Sequence, residues 1–166
     1  YVTAATLDAD VLTGRNTAIV QVVTKDGVAV LNIKATNAKV NGAAFDADAD
    51  DAEDIIDALV GQVVKFSKNA DDKITAITTA AADEEITVVI DSETADQVYD
   101  AENGKIGSRY VDANSLVFFI ADEASDCFIG SVADLDDETP YKVLGLYADK
   151  KAEDNNILVV EGGINA

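Results

Sequence analysis

The most acidic stretch of the chain is FDADADDAEDIIDALVG, Phe45 to Gly61, in which seven of the first thirteen residues are Asp or Glu. Alternating carboxylates resemble an EF-hand calcium loop, which takes ligands from its first, third and fifth places and from a Glu at the twelfth. Asp46, Asp48 and Asp50 would fill the first three of these places. The sixth place needs Gly but holds another Asp, and the twelfth holds Asp instead of Glu. The EF-hand register therefore fails.

Two interpretations of this stretch remain. Because Ca²⁺ accepts oxygen ligands in loose geometry, an irregular calcium site built from Asp46, Asp48 and Asp50 is one of them. The other is a helix start, in which Asp50 or Asp51 caps the helix and the acidic first turn meets the positive end of the helix dipole. The spacing favours the helix start and leaves the three aspartates as candidate Ca²⁺ ligands.

Little else in the chain suggests catalysis. The chain has no His, so it cannot build a triad of the Ser-His-Asp or Cys-His type. Its one cysteine, Cys127, lies beside apolar residues in DCFIG, which predicts a small buried side chain rather than a reactive thiol. The other acidic clusters are expected to be solvated surface: Asp96 with Asp100, Asp122 to Asp126, and Asp134 to Glu138. We expect no enzymatic activity.

Composition narrows the class of protein. Apolar residues make up 48% of the 166, which is enough for a core even at a net charge of -20. The 12 Lys and Arg are scattered and form no basic stripe, which argues against binding to nucleic acid and against binding to an anionic membrane surface.

No apolar run approaches the roughly 20 residues of a membrane span, so no membrane insertion is expected. Since the chain starts at Tyr1 and has no Met, we expect a processed product or a piece of a larger protein.

Hydrophobic patterning predicts a mainly β fold: small β-barrel or sandwich modules built from hairpins, with one or two short helices. Buried strands are predicted at Ile86 to Ile90 and at Ser115 to Ala121. The best helix candidate is DAEDIIDALVG, and SVADL is a second short turn. The apolar stripe of DAEDIIDALVG is Ile55, Ile56, Leu59 and Val60. Three hairpins are predicted: Ala18 to Val23 with Val28 to Ala35, Gln62 to Ser67 with Lys73 to Thr78, and Tyr141 to Ala148 with Asn156 to Gly162.

The two halves of the chain show a similar pattern. In each, an acidic residue and a Leu precede a β-hairpin with a charged tip, which suggests an internal duplication. We expect a first module at residues 1–80 and a second at 81–166. The N-terminal strand, Val2 to Leu12, has no evident hairpin partner, so it is a candidate for exchange with the sheet edge of a neighbouring copy.

Three groups of residues form a pattern of strands and turns: Gly61, Val63, Val64, Phe66, Asn69, Asp71 and Ile74; Val111, Ser115, Val117 and Phe118; and Gly130, Asp134 and Leu135. In these residues the chain resembles β-rich modules that follow S-layer homology domains in cell-surface proteins of Gram-positive bacteria. Ser115 stands where the family pattern has Thr, and the wall-anchoring domain itself does not appear. The resemblance implies an extracellular structural module with no catalytic residues.

We therefore expect a structural protein of a bacterial surface layer or of a self-assembling surface filament. It would form a homo-oligomer or polymer through sheet edges, with Ca²⁺ as a candidate strengthening ion. The alternative is a cell-surface adhesin or carbohydrate-binding module. That alternative needs exposed aromatic side chains on one face, and the four tyrosines of the second half are dispersed along the chain: Tyr99, Tyr110, Tyr141 and Tyr147.

Overall fold

A computed structural model describes residues 1–90, 93–149 and 156–162. It is mainly β with few short helical segments, which confirms the expected fold class. The chain divides into two compact units, of which the first is Tyr1–Thr24 with Val28–Asp83 and the second is Glu84–Ala166 with Lys25–Gly27. The boundary expected between residues 80 and 81 lies just before this division.

The first unit contains seven strands and one α-helix. The strands are β1 (Val2–Ala9), β2 (Asn16–Thr24), β3 (Gly27–Ile33), β4 (Thr36–Val40), β5 (Ala43–Asp46), β6 (Val64–Lys68) and β7 (Ile74–Thr79). The helix α1 spans Ala52–Asp57, and a 3-10 turn follows β7 at Ala80–Ala82.

The seven strands form one curled sheet. Its order is β1-β2-β3-β7-β4-β5. Outside this path, β6 pairs antiparallel with β7, on the edge that β3 and β4 leave free. β3 and β4 follow one another along the same edge of β7, both parallel to it, with Ile33 opposite Ile74 and Lys39 opposite Ala76. The N–H of Val2 donates to the carbonyl of Gln62 at 3.0 Å. This bond ties β1 to the segment that leads into β6, so the sheet curls around its core.

That core is built from the inward residues of each strand and from one side of α1. Val20, Ile33 and Ile77 are almost fully buried, and Ile56 of the helix packs among them. Ala52 and Leu59 are buried beside Ile56, whereas Val60, which the sequence places on the same stripe, is 40% exposed. The predicted stripe was wrong at Val60, which lies beyond the end of the helix in a turn that keeps Leu59 buried and leaves Val60 partly exposed.

The β4–β5 hairpin turns on Asn41 and Gly42, which both have positive φ, 49° and 81°. A two-residue turn of this kind matches the right-handed twist of the strands and favours Asn-Gly. The side-chain Oδ1 of Asn41 accepts hydrogen bonds from the backbone N–H of Thr79 at 2.8 Å and from its hydroxyl at 3.3 Å. The turn is thereby fastened to the end of β7.

The structure corrects the expectation for the N-terminal strand. β1 pairs antiparallel with β2 of its own chain from Val2 to Ala9, and residues 10–15 form the connecting turn. Val2 is fully buried, and Leu7 packs against the core. The statement that this segment lacks a hairpin partner was wrong, because a bulge after Val2 breaks the alternation by which such a strand is recognised.

The described residues of the second unit form eight strands. They are β8 (Ile86–Ile90), β9 (Thr94–Asp100), β10 (Lys105–Ile106), β11 (Arg109–Tyr110), β12 (Leu116–Ile120), β13 (Phe128–Ser131), β14 (Pro140–Asp149) and β15 (Ile157–Glu161). Two 3-10 turns, Ala124–Asp126 and Val132–Asp134, lie between strands, and the second confirms the short turn predicted at SVADL.

Its sheet has the order β11-β10-β9-β14-β15-β12-β13, and β8 also pairs with β14. β15 lies antiparallel to β14 on one edge and parallel to β12 on the other. The first unit has the same arrangement, since β7 lies between antiparallel β6 and parallel β4. In both units a hairpin, a short helical segment and a second hairpin follow in that order, which supports the internal duplication.

All three predicted hairpins are present. β2 with β3, β6 with β7, and β14 with β15 are neighbours in the sheets, although the tip of the last hairpin, residues 150–155, lies outside the described residues. Val117 and Phe119 of β12 are buried as predicted. β8 differs from the prediction because its residues are only half-buried or exposed at one edge of β14.

The second unit is braced by Tyr141, whose ring is buried at the start of β14. Its hydroxyl oxygen accepts a hydrogen bond of 2.8 Å from the backbone N–H of Asp136, five residues earlier. A tyrosine placed in this way fixes the path of the chain as it enters a strand, as in the tyrosine corner of β-sandwich proteins.

We expect Tyr141→Phe to lower the free energy of unfolding by about 1 kcal/mol, because the Asp136 N–H loses its partner while the ring packing remains. Urea unfolding followed by circular dichroism measures this change. Tyr110→Phe, at a ring that is 73% exposed, is the matched control and should change the value by less than about 0.5 kcal/mol. Equal effects from the two substitutions would contradict a bracing role for the Tyr141 hydroxyl.

Candidate functional site

The acidic stretch joins β5 to α1, and its aspartates bond to the backbone. Asp46 ends β5, and its Oδ1 accepts the N–H of Asp48 at 3.0 Å. The Oδ1 of Asp48 accepts the N–H of Asn16 at 2.7 Å, and the Asn16 side chain donates to the carbonyl of Ala47 at 3.1 Å. Asp48 therefore fastens this loop to the start of β2.

The helix start differs in detail from the prediction. Asp51 stands at the N-cap of α1, but its side chain makes no capping hydrogen bond, and the helix has six residues. Glu53 and Asp54 lie in the first turn, where their charges meet the positive end of the dipole. The predicted side-chain cap was wrong, because the residue enters the helix with ψ near 4° instead of the extended value usual at an N-cap.

The described residues span 1–90, 93–149 and 156–162. No group of three or more Cys, Asp or Glu side chains lies close enough together in these ranges to hold a metal ion, and the ranges include Asp46, Asp48 and Asp50. The calcium interpretation of these three residues stays a prediction. Two of the three already bond to backbone N–H groups.

Three further carboxylates hold turns in the same way. Hydrogen bonds from the side chain and the backbone N–H of Asn103 lower the pKa of Asp100. The backbone N–H groups of Leu12 and Thr13 lower the pKa of Asp10. The backbone N–H and then the hydroxyl of Ser131 lower the pKa of Asp134, at 2.8 and 2.9 Å from its Oδ2. The carboxylates of Asp10, Asp100 and Asp134 therefore stabilise surface turns by accepting backbone hydrogen bonds.

The lone thiol is a core group, as predicted. Cys127 is 4% exposed, and its Sγ accepts the N–H of Ala121 at 3.3 Å.

The four tyrosines of the second half do not share one exposed surface. Tyr141 and Tyr147 are buried and Tyr99 is partly buried, whereas Tyr110 is exposed with the Nζ of Lys105 4.4 Å from its ring centroid.

An uncharged groove lies on the solvent side of β1, β2 and β3. Ala4 lies opposite Gln21 and Thr6 opposite Ile19 across the β1–β2 pair, so these four side chains share one face. With Val30 they line an open surface groove of about 170 Å³. We call these residues the outer groove: Ala4, Ala5, Thr6, Ile19, Gln21 and Val30. None of them is ionisable, in a chain of net charge -20.

The turn at the end of the same hairpin carries two aliphatic side chains into solvent. Val11 is 97% exposed and Leu12 is 95% exposed. We call this pair the apolar tip. The Oδ1 of Asp10 accepts the N–H groups of Leu12 and Thr13 at 2.8 and 3.1 Å, and the N–H of Gly14 donates to the Asp10 carbonyl at 2.8 Å. The turn that presents the pair is thus closed by its own hydrogen bonds.

The sequence analysis predicted neither the outer groove nor the apolar tip. The TG pair after Leu12 signals a turn, so the exposure of Val11 and Leu12 was within reach of the sequence. The outer groove was not, since it depends on how β1 is paired with β2.

A comparison of the chain with protein-family models, curated proteins and solved structures gave no match. The resemblance to modules that follow S-layer homology domains stays a hypothesis. No helix among the described residues is long and apolar enough to cross a membrane.

The motif residues behind that resemblance have turn and core roles here. Gly61 has a φ of 79°, and the Oδ1 of Asn69 accepts the N–H groups of Asp71 and Lys73, each at 3.0 Å, in the β6–β7 turn. Val117 is fully buried. These residues specify strand and turn geometry, which many proteins can share.

We expect Asp48→Ala to lower the free energy of unfolding by about 1–2 kcal/mol, since it removes a charge-assisted hydrogen bond to the Asn16 N–H. Asp50→Ala, at an exposed side chain of the same stretch, is the control and should stay within about 0.5 kcal/mol of the unsubstituted chain. Thermal melts with Ca²⁺ and with chelator measure both. A melting temperature that rises with Ca²⁺, and loses this rise in each variant, would show instead that the aspartates bind the ion.

We expect the Ser131–Asp134 turn to give a stability that depends on acid pH. The pKa of Asp134 is lowered from its ordinary value of 3.8. The folded state therefore gains stability from the ionised carboxylate above pH 3.8, and this gain is lost as the pH falls through the lowered pKa. Asp134→Asn should melt at a lower temperature than the unsubstituted chain at pH 7, and the difference should shrink toward pH 2. A difference that stays constant from pH 7 to pH 2 would contradict the assignment.

Proposed function

We propose that this chain is an extracellular structural module of a bacterial surface layer or of a self-assembling surface filament, and that it works by association of its copies. The sequence resemblance supports the cellular setting. The observation that carries the proposal is the surface of β1, which lies at one end of the first sheet and is poor in charge.

Edge strands of soluble proteins are usually protected from pairing by charged residues, by Pro or by a covering segment. β1 has the sequence VTAATLDA, in which Asp8 is the only ionisable residue among eight. Beyond Val2, no other strand of the first unit, all of whose residues are described, pairs with the outer edge of β1, and α1 is the helical segment that lies close to this strand. An edge of this kind favours contact with another protein surface.

Strand exchange in its simple form is not favoured. Val2 and Leu7 pack in the core of the first unit and β1 pairs with β2 of its own chain, so exchange would have to break these contacts before the β1 of a neighbouring copy could replace them. Deleting residues 1–12 would consequently unfold this unit instead of leaving an assembly-deficient monomer. We propose association through the surface of a strand that stays in place.

The net charge of -20 sets a condition for association. Copies of so acidic a chain repel one another at low ionic strength, and salt screens this repulsion over a Debye length of about 8–10 Å near physiological concentrations. Divalent cations between the carboxylates of neighbouring copies would act in the same direction. This is the role in which Ca²⁺ strengthens the proposed assembly.

A cell-surface adhesin or carbohydrate-binding module is the second candidate, and Tyr110 is the observation that favours it. Its ring is largely exposed on β11, the edge strand of the second sheet. The Lys105 ammonium lies over the ring, and the other three tyrosines of the second half do not extend the surface. A glycan array probed with the chain and with Tyr110→Ala tests this candidate, which requires binding that the substitution abolishes.

Assembly is tested by sedimentation velocity and negative-stain electron microscopy of the purified 166-residue chain. We expect sheets, tubes or filaments at high protein concentration in physiological salt, more of them with Ca²⁺ than with chelator, and monomers at low ionic strength. Monodisperse particles under all of these conditions would overturn the structural proposal.

A further inference from the structure

We propose that Asn103 is a site of spontaneous deamidation, at which reaction with water converts the side-chain amide into aspartate or isoaspartate. Asn41, the other asparagine that precedes a glycine in this chain, is protected from the same reaction by its contact with Thr79. The inference goes beyond the proposed assembly and does not depend on it.

The reaction proceeds through a five-membered ring. The backbone nitrogen of the residue after the asparagine loses its proton to hydroxide and attacks the side-chain Cγ. The Cγ–Nδ2 bond breaks, and the amide nitrogen leaves as ammonia. Water then opens the resulting succinimide at either of its two carbonyls, which gives aspartate or isoaspartate. Glycine in the next position favours this attack, because it has no side chain to shield its nitrogen.

Turn geometry requires glycine after both asparagines. Gly42 has a φ of 81° and Gly104 a φ of 61°, values that glycine adopts without the steric cost that a Cβ brings. Asn41 and Asn103 are both exposed residues. The two pairs are therefore equally reactive by local sequence, and the difference between them lies in what each side-chain amide contacts.

The amide of Asn41 is held by a buried partner. Its Oδ1 accepts the backbone N–H of Thr79 at 2.8 Å and the Thr79 hydroxyl at 3.3 Å. Thr79 is 6% exposed, so water has little access to its N–H when the amide turns toward Gly42. A buried donor that loses its partner costs the desolvation free energy of that group. This cost adds to the barrier for attack at Asn41.

The contacts of Asn103 are local and exposed to solvent. Its Nδ2 donates to Oδ2 of Asp100 at 2.7 Å, and its backbone N–H donates to Oδ1 of the same carboxylate at 3.0 Å. Asp100 is exposed, so water replaces the amide on this carboxylate when the Asn103 side chain turns toward Gly104. The amide leaves its partner without stranding a buried group, and the barrier at Asn103 is lower.

Conversion of Asn103 weakens the β9–β10 turn. The product places a second carboxylate where Nδ2 donated to Asp100, so two like charges stand within hydrogen-bond distance. The contact that contributes most to the lowered pKa of Asp100 is lost at the same time. Isoaspartate also adds a carbon to the backbone of a loop whose ends are fixed by the pairing of Asp100 with Lys105. The turn should therefore open.

The two rates are measured on the purified 166-residue chain, incubated in mildly alkaline buffer and sampled over weeks. Trypsin places each asparagine on a peptide that contains no other: residues 40–65 carry Asn41, and residues 74–105 carry Asn103. Mass spectrometry follows the conversion of amide to acid in each peptide. The same incubation in guanidinium chloride is the control, because unfolding removes the contacts of both side chains.

We expect Asn103 to convert at least about tenfold faster than Asn41 in the folded chain, since attack at Asn41 strands the Thr79 N–H. In guanidinium chloride the two rates should converge. Equal rates in the folded chain, or faster conversion of Asn41, would overturn the proposal. Asn103 that stays intact in the folded chain, over the period in which it converts in guanidinium chloride, would overturn it as well.

Two substitutions test the effect on the turn. Asn103→Asp reproduces the aspartate product, and we expect it to melt about 4 °C below the unsubstituted chain at pH 7. Asn103→Gln is the control, because the longer amide closes a ring far more slowly. Incubation should lower the melting temperature of the unsubstituted chain and leave that of Asn103→Gln unchanged. An equal fall in both, or an Asn103→Asp chain that melts like the unsubstituted one, would contradict the role assigned to Asn103.

Discussion

Each unit depends on a parallel pairing between two strands that belong to different hairpins. β4 lies beside β7 in the first unit, and β12 lies beside β15 in the second. Parallel neighbours cannot be joined by a tight turn, so the chain must cross the core between them. In the first unit that crossing contains α1, which buries Ala52 and Ile56. In the second it contains the 3-10 turn Val132–Asp134 and buries Val132 and Leu135. The short helical segments thus exist because the crossing chain has to cover apolar surface.

The acidic residues illustrate how little a local pattern says about a site. Asp10, Asp48, Asp100 and Asp134 each accept a backbone N–H and close a turn or fasten a loop. Asp is suited to this role because its short side chain can reach the backbone two or three residues away. A chain made of many short strands needs many such turns. Part of its high Asp content therefore follows from its architecture.

The hairpins could be predicted because their signals are local. Asp26-Gly27 marks a tight turn, and the alternation of Val64, Lys65 and Phe66 matches the faces that β6 presents. The parallel pairings could not be predicted, since they join residues about forty positions apart with no pattern that marks them. The same applies to the candidate site. The partner of Asp48 is Asn16, 32 residues earlier. The outer groove exists only once β1, β2 and β3 are placed side by side.

The bulge after Val2 determines which side chains of β1 face outward. Before the bulge, even-numbered residues of β1 face the core, as Val2 does; after it, odd-numbered residues such as Ala5 and Leu7 do. One extra residue therefore inverts the phase of the strand, and this inversion turns Ala4 and Thr6 outward. A single deletion at this point would exchange the inner and outer sets of side chains from Ala4 onward. Evolution could create or erase this face in one step, through the length of the strand instead of its composition.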